Sequence, residues 1–264
     1  MSKLKILFAA ILLCITPYVF AQDASKDNTV TFYVTRHGKT ILNTLVQAQG
    51  WADTPLTPPG VAVAEYLGIG MKDVPLKAAY SSDLGRARQT ARIVLEKKGQ
   101  KGLLLQEDEG LREACFGSYE GKPDEKMWGD AALRIGLRNM KEFFEAMKTD
   151  NQVYINAMQA LKDLDELGMA ENYYDVKKRG QAAFKAIAEK EAKLGGGNVL
   201  VVVHGMFIGI LLSDLDSSGK FIQPTHLGNA SVSKVVYKDA KFTVESVGDM
   251  SYVEKGKLMI GVEV

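Results

Sequence analysis

The segment Val199-Leu200-Val201-Val202-Val203, opened by Asn198, is apolar at every position and shows no alternation of polar and apolar residues. A strand of that kind must be covered on both faces, which is the situation of a central strand in a parallel sheet held between two layers of helices. It ends at His204-Gly205, and an apolar helical stretch from Met206 to Leu215 follows it. The same order recurs near the start of the chain. Thr29-Val30-Thr31-Phe32-Tyr33-Val34-Thr35 is β-branched and aromatic, reads as a strand, and ends at Arg36-His37-Gly38.

The remaining punctuation fits an α/β domain. Thr57-Pro58-Pro59 supplies an N-cap and first-turn prolines for a helix running towards Gly68. Ala78 to Ser82 reads as a short strand, Gly85 to Lys98 as a helix, and Leu103-Leu104-Leu105 as a third short apolar run. Val232 to Tyr237 and Phe242 to Val247 form a closing hairpin around Lys238-Asp239-Ala240-Lys241. Residues 122–194 differ: they contain no strand pattern, and the stretches 141–147, 153–167 and 176–193 are helical. The expected architecture is a three-layer α/β domain with a mostly parallel central sheet flanked by helices, plus a helical insertion or cap over about 122–194. In such folds ligands bind beyond the carboxyl ends of the strands, and both His-Gly pairs fall there.

Composition narrows the partners. With 33 Lys and Arg against 32 Asp and Glu the chain has a formal charge of +1, so no basic excess points to nucleic acid. Lys3 and Lys5, the apolar run Ile6 to Ile15 and Val19-Phe20-Ala21 form a secretory signal pattern over 1–21, with cleavage expected before Gln22. The apolar run is broken by Pro17 and short for a membrane span, and Leu13 is too bulky for a lipoprotein site at Cys14. Cleavage takes the formal charge from +1 to −1 and leaves residues 22–264, a periplasmic or secreted domain with no stable membrane insertion. It also leaves Cys115 alone, so no internal disulfide is available, and Cys115 is expected to be a small buried hydrophobe. The oligomeric state stays open.

Two histidines at equivalent strand ends, each followed by glycine, make a stronger case for chemistry than one would. Glycine leaves room beside the imidazole and lets backbone N–H groups approach an anion. Arg36 precedes the first histidine, and Arg86 opens the helix after the next strand. Two arginines and two histidines around one pocket suit a dianion such as phosphate, which the guanidinium grips in a bidentate way. Three His and two Cys leave little from which to build a metal site, so no metal and no cofactor is expected.

The motifs also carry a family resemblance. Arg36-His37-Gly38-Lys39-Thr40 with Asn43 resembles the R-H-G-[E/K]-T-x-x-N signature of the histidine phosphatase superfamily, in its phosphoglycerate-mutase-like branch. Gly50, Asp53, Pro55-Leu56-Thr57 and Gly60 match its next block, and Ser82-Asp83-Leu84-Gly85-Arg86-Ala87-Arg88-Gln89-Thr90-Ala91 the one after. Leu111-Arg112-Glu113 with Gly117 and Glu120-Gly121, then Val201 to Gly205, then Asn229-Ala230-Ser231-Val232 complete the order.

The resemblance implies roles. His37 is the expected nucleophile, forming a phosphohistidine, and Arg36, Arg86 and His204 are expected to hold the phosphoryl oxygens, with Asn43 and the Gly205 N–H as further donors. Glu113 is the expected general acid, then base. Its neighbours Glu107, Asp108, Glu109 and Glu120 read as a solvated acidic loop. Arg134, Arg138 and Lys141 read as a solvated helix face, and His226 as a loop histidine.

Two departures from the mutase pattern, Ala114-Cys115-Phe116 after the acid and Leu42 before Asn43, favour a phosphatase, as does the export signal. Thr40 and Gly205 exclude the acid phosphatase and phytase branch. The expected activity is therefore that of an exported phosphomonoesterase acting on a small phosphorylated substrate. A phosphoglycerate-mutase-type phosphotransferase and a non-catalytic phospho-ligand binder are the alternatives.

Overall fold

A computed structural model describes residues 28–213, 215 and 227–261. The expected signal segment 1–21 and His226 lie outside the described residues. Six strands form one sheet: β1 (Val30–Arg36), β2 (Leu76–Ser81), β3 (Leu105–Glu107), β4 (Gly197–Val203), β5 (Val232–Lys238) and β6 (Lys241–Asp249). Their order is β3-β2-β4-β1-β5-β6. The first four strands in that order run parallel, and β5 and β6 close the sheet antiparallel. The expected hairpin turns through Asp239 and Ala240, both at positive φ, the left-handed pair that matches the twist of the strands on either side.

β4 shows why its sequence is apolar throughout. Val199, Val201 and Val203 join one buried cluster, and Leu200 and Val202 join another on the opposite face. The second face is covered by α2 (Pro58–Gly70), α3 (Gly85–Lys98) and α9 (Ser251–Met259), which bring Ala64, Leu67, Ala91, Val94 and Val253 against it. The first is covered by α7 (Tyr173–Lys193) and α8 (Gly205–Leu212), with Phe184 of α7 packed 4.5 Å from Phe32 of β1.

The third strand lies two residues later than the apolar run suggests. Leu105 pairs with Ala79, Gln106 with Tyr80 and Glu107 with Ser81, while Leu104 is 78% exposed. This is the sheet edge, where pairing needs a free backbone more than apolar side chains. The expected insertion divides in two. Only α4 (Asp124–Arg134), α5 (Met140–Met147) and α6 (Asn151–Leu164) form a cap, whereas α7 belongs to the layer on the sheet. In the cap Trp128 stacks on Phe143 at 5.2 Å, and Tyr154 lies edge-on to Tyr173 at the seam with α7. Arg134, Arg138 and Lys141 do not share a helix: the chain breaks at Gly136, whose φ is +86, and Arg138 pairs with Glu142 at 3.0 Å. Among the described residues no helix is long and apolar enough to cross a membrane.

Candidate active site

The carboxyl ends of all four parallel strands meet at one edge of the sheet, and each delivers part of the site. β1 ends in Arg36-His37, β4 in His204, β2 leads through Ser82 into α3 and Arg86, and β3 leads into Glu113. β1 and β4 are neighbours in register, with Arg36 beside Val203, so the two imidazoles come together with ring centroids 5.2 Å apart.

His37 is held at every polar atom. Its backbone N–H donates to Val203 O (2.9 Å), and its carbonyl accepts from Asn229 Nδ2 (2.9 Å). Nδ1 lies 2.7 Å from the Gly38 carbonyl, which can only accept, so the ring proton sits on Nδ1. Nε2 therefore presents a lone pair, which accepts from Arg86 Nε at 3.3 Å. Burial and the Arg86 and Arg36 charges hold the imidazole well below its ordinary value, so it stays neutral. Gly38 is required on steric grounds, because a Cβ there meets Gly60 O at 2.3 Å.

Arg86 is fully buried and uses its whole donor fork. Nη1 donates to Ala52 O and Asp53 Oδ1 (both 3.0 Å), and Nη2 to Gly50 O (2.6 Å) and Gln49 O (3.4 Å). Only Nε is directed at His37, so the rest of the Arg86 fork is taken up by the loop and its remaining donor holds that imidazole.

Arg36 and His204 supply the unspent donors. Arg36 Nη1 donates to Leu227 O, while its Nε and both ring nitrogens of His204 are buried without a hydrogen-bond partner. His204 is neutral for the same reasons as His37: burial first, then the Arg86 charge. Gly205 heads α8 directly beneath, and a Cβ there would stand 3.2 Å from Arg36 Nε.

Glu113 is 5% exposed, and its carboxyl group takes over the capping of α8. Oε1 accepts from Phe207 N (2.8 Å) and Ala114 N (3.0 Å), and Oε2 from Met206 N (3.1 Å). Burial raises its pKa against the pull of those N–H groups and of Arg86, as a group that must donate a proton requires.

Asn43 Oδ1 accepts from Thr40 N (3.3 Å) and one Nδ2 N–H donates to Gln49 Oε1 (3.3 Å) in the capping box of the short helix α1 (Ile41–Leu45). The residue lines the cleft together with Arg36 and His37. Glu120 differs from expectation. It is no solvated acid: its carboxylate accepts four backbone N–H groups, from Gly50 (3.0 Å), Trp51 (2.7 Å), Ala52 (2.9 Å) and Phe116 (2.9 Å). That fixes the loop whose carbonyls hold Arg86.

Asp53 was a motif residue without a role. It caps α3 through the Gly85 and Arg86 N–H groups and pairs with the Arg86 guanidinium. No local pattern marks these functions, because each joins segments 30 or more residues apart. Cys115 is buried as expected, its thiol pushed up to about 11 by burial.

From His37 a cleft of about 610 Å³ runs under the cap. Arg36, Glu113 and Gly205 line its inner end, and Phe116, Trp128, Phe143, Tyr154 and Met147 its walls, with Asp124 and Lys148 further out. Among the described residues no three His, Cys, Asp or Glu side chains are grouped to hold a metal.

Fold and site together define an α/β protein whose parallel strand ends bring two arginines, a buried glutamate and a neutral, lone-pair-bearing histidine to one cleft. The family model of the histidine phosphatase superfamily (branch 1) matches residues 32–166 and 133–250, and the chain belongs to that family. It is 27% identical to the Yersinia pestis (strain Pestoides F) protein named probable phosphoglycerate mutase GpmB, over 84% of this chain and 94% of that one. The crystal structure of phosphoglycerate mutase from Bacillus anthracis (strain Sterne) is 47% identical, with a TM-score of 0.80 over 88% of this chain and 98% of that one. A mycobacterial glucosyl-3-phosphoglycerate phosphatase shares the fold at 22% identity, with a TM-score of 0.63 over 84% and 99%.

Proposed function

We propose that the protein is an exported phosphomonoesterase that passes the phosphoryl group of a small ester to Nε2 of His37 and then to water. The observation that carries the reading is the fixed tautomer of His37: the Gly38 carbonyl keeps the proton on Nδ1, and burial, then the Arg86 and Arg36 charges, keep Nε2 unprotonated. In the first step Nε2 attacks phosphorus as the ester P–O bond breaks, and Glu113 gives its proton to the departing alkoxide. In the second step the Glu113 carboxylate takes a proton from water, whose oxygen attacks phosphorus as the N–P bond breaks. Arg36 and His204 meet the phosphoryl oxygens. Arg86 Nε–H, released when phosphorus takes the Nε2 lone pair, turns to the same group.

Hydrolysis in preference to transfer between phosphoglycerates is supported by the outer cleft. Lys148 is the cation that lines it among the described residues, and it is paired with Glu145 at 2.8 Å. A bisphosphate needs a second cationic clamp, and here Asp124 and Asp150 share that wall. The mutase reading draws on the names of the Bacillus anthracis and Yersinia pestis proteins. Export rests on the signal pattern of residues 1–21, and action outside the cytoplasm follows from it.

The deciding experiment feeds ³²P-labelled monoesters to protein beginning at Gln22, with and without EDTA. Label on the protein that survives base and is lost in acid, release of inorganic phosphate, and an unchanged rate in EDTA are the expected results. Interconversion of 2- and 3-phosphoglycerate faster than phosphate release establishes the mutase instead, and binding without turnover establishes a binder. N-terminal mass spectrometry of the protein from its native cells should find Gln22 first; an intact Met1 on cytosolic protein ends the export reading.

A further inference from the structure

Glu113 stands on a loop, residues 110–115, that has no regular secondary structure beyond one 3-10 turn at its start. Its main chain is held chiefly by Arg179 of α7 and by Glu171 just before that helix. Arg179 donates Nη1 to Gly110 O (3.0 Å) and Arg112 O (2.7 Å), and Nη2 to Glu113 O (2.7 Å). Its other two donors lie on Glu171: Nε to Oε1 and Nη2 to Oε2, both at 2.7 Å. Glu171 then grips the far end of the same loop, its Oε2 accepting from Cys115 N (3.0 Å) and its N–H donating to Cys115 O (2.9 Å).

The pair therefore brackets the acid, with Arg179 on its N-terminal side and Glu171 on its C-terminal side. The Arg179 guanidinium also lies 5.8 Å over the ring of Phe207, whose N–H holds Glu113 Oε1. The main chain of the acid and the helix turn that receives its carboxyl group are tied to one side chain. The Glu113 carbonyl takes a second bond from Trp51 Nε1 (3.0 Å), and the Arg112 side chain lies over the Trp51 ring and pairs with Asp83, but among the described residues only Arg179 binds the main-chain carbonyls of Gly110, Arg112 and Glu113 together.

We propose that Arg179, locked by Glu171, is the positioning residue of the acid: it sets where the Glu113 carboxyl group delivers its proton and does not itself meet the substrate. The inference rests on the reading of Glu113 as general acid. It predicts an effect confined to reactions that need a proton on the leaving group. An alkoxide needs one to depart, and 4-nitrophenolate does not.

The test follows phosphorylation of His37 in rapid-quench experiments with 2-phenylethyl phosphate and 4-nitrophenyl phosphate. With Arg179→Ala the burst rate is expected to fall about 100-fold for the alkyl ester and less than about threefold for the aryl ester, with little change in KM. Arg179→Lys, a point charge without the fork, should recover only part of the loss. Glu171→Gln keeps the acceptor for Cys115 N–H and the side-chain volume, and should give the same selectivity at about tenfold. Added to Glu113→Gln, Arg179→Ala should cost nothing further, because both act through one carboxyl group.

Equal losses on both esters, or losses that multiply with Glu113→Gln, overturn the proposal in favour of a general structural role. If Arg179→Ala does not fold, the Glu171→Gln pair of rates decides in the same way. A wild-type enzyme that labels with neither ester defeats the phosphatase reading. One that labels with both, but in which Glu113→Gln is blind to the leaving group, defeats only the acid and this inference with it.

Discussion

The floor of the cleft and its roof are built by different means. At the sheet edge most of the holding partners are far away in sequence: Arg86 is held by residues 49–53, Glu113 by Met206 and Phe207, and the His37 carbonyl by Asn229, with the adjacent Gly38 carbonyl turning the His37 ring. In the cap, polar side chains mostly pair within one turn, as in Lys126–Asp130, Gln152–Asn156 and Gln159–Asp163. What holds the cap in place is ring packing around Trp128, Phe143 and Tyr154. Hydrogen bonds are directional and fix a group to a fraction of an ångström, whereas dispersion and apolar burial are not and tolerate repacking. On the proposed reading, bond-making belongs to the floor and the shape of the leaving group to the roof.

That contrast fails first if His37 can be spared. His37→Ala should abolish turnover and the base-stable label together, and activity within tenfold of wild type would move the chemistry elsewhere. Glu120→Gln is the next test of the floor. The amide NH₂ must face two of the four N–H donors now received by the carboxylate. A cost of about 1–3 kcal/mol in stability is expected for the unsatisfied groups. A fall of about 100-fold in kcat should accompany it as Arg86 loosens its hold on His37, read in urea melts and with 4-nitrophenyl phosphate. Wild-type kcat in the folded variant would show the loop to be passive.

Trp128→Ala probes the roof and should behave in the opposite way. Loss of a buried indole costs about 3–5 kcal/mol. Turnover of a small ester should nevertheless change less than tenfold, with KM moving more than kcat. A fall in kcat as large as that of Glu120→Gln would erase the distinction between floor and roof.

The smallest effect is on pH dependence. His37 and His204 are buried and held well below 6.5, so the unfolded chain takes up protons near pH 6.5 while the native site does not. Stability contributed by the neutral imidazoles is thus complete above pH 6.5. It is lost as pH falls towards their depressed native values, by at most about 1.4 kcal/mol per pH unit for each. Glu113 has the opposite sign. Its raised value means the native site keeps a proton that the unfolded chain releases above 4.5, so its contribution falls as pH rises through that window. Urea melts between pH 5 and 7.5 should show a shallower slope for His204→Asn than for wild type. An identical slope would mean that His204 takes up its proton in the folded protein as readily as in the unfolded chain.

Much of the floor is legible in the sequence. An unbroken apolar strand announces burial on both faces, and β4 has it. His37 and His204 stand at strand ends followed by glycine, and two neighbouring parallel strands bring such ends together whatever else the fold does. Arg86 follows from its place at the first turn of α3, and Glu113 from its register in the motif. Local pattern fails where a residue's role depends on a distant partner. Glu107, Glu109 and Glu120 look alike in sequence, yet Glu107 lies on the edge strand while Glu120 is enclosed by four N–H groups. Asn43 carries a motif position, and its Oδ1 also serves the cap of α1, a use its place in the motif does not announce.

The chain's own pattern thus determined the layers, the parallel core and the identity of the groups that can do chemistry, because periodicity and strand termini are local properties of sequence. Which nitrogen of His37 keeps its lone pair, which donor of Arg86 is left for it, and what raises the Glu113 carboxyl group above its ordinary value were decided only in the folded molecule. The first rests on the adjacent Gly38 carbonyl, held in place by the fold, and the other two on burial and on carbonyls, carboxylates and N–H groups that lie tens of residues apart until the sheet brings them together. The dielectric that makes them matter exists only once water has been excluded.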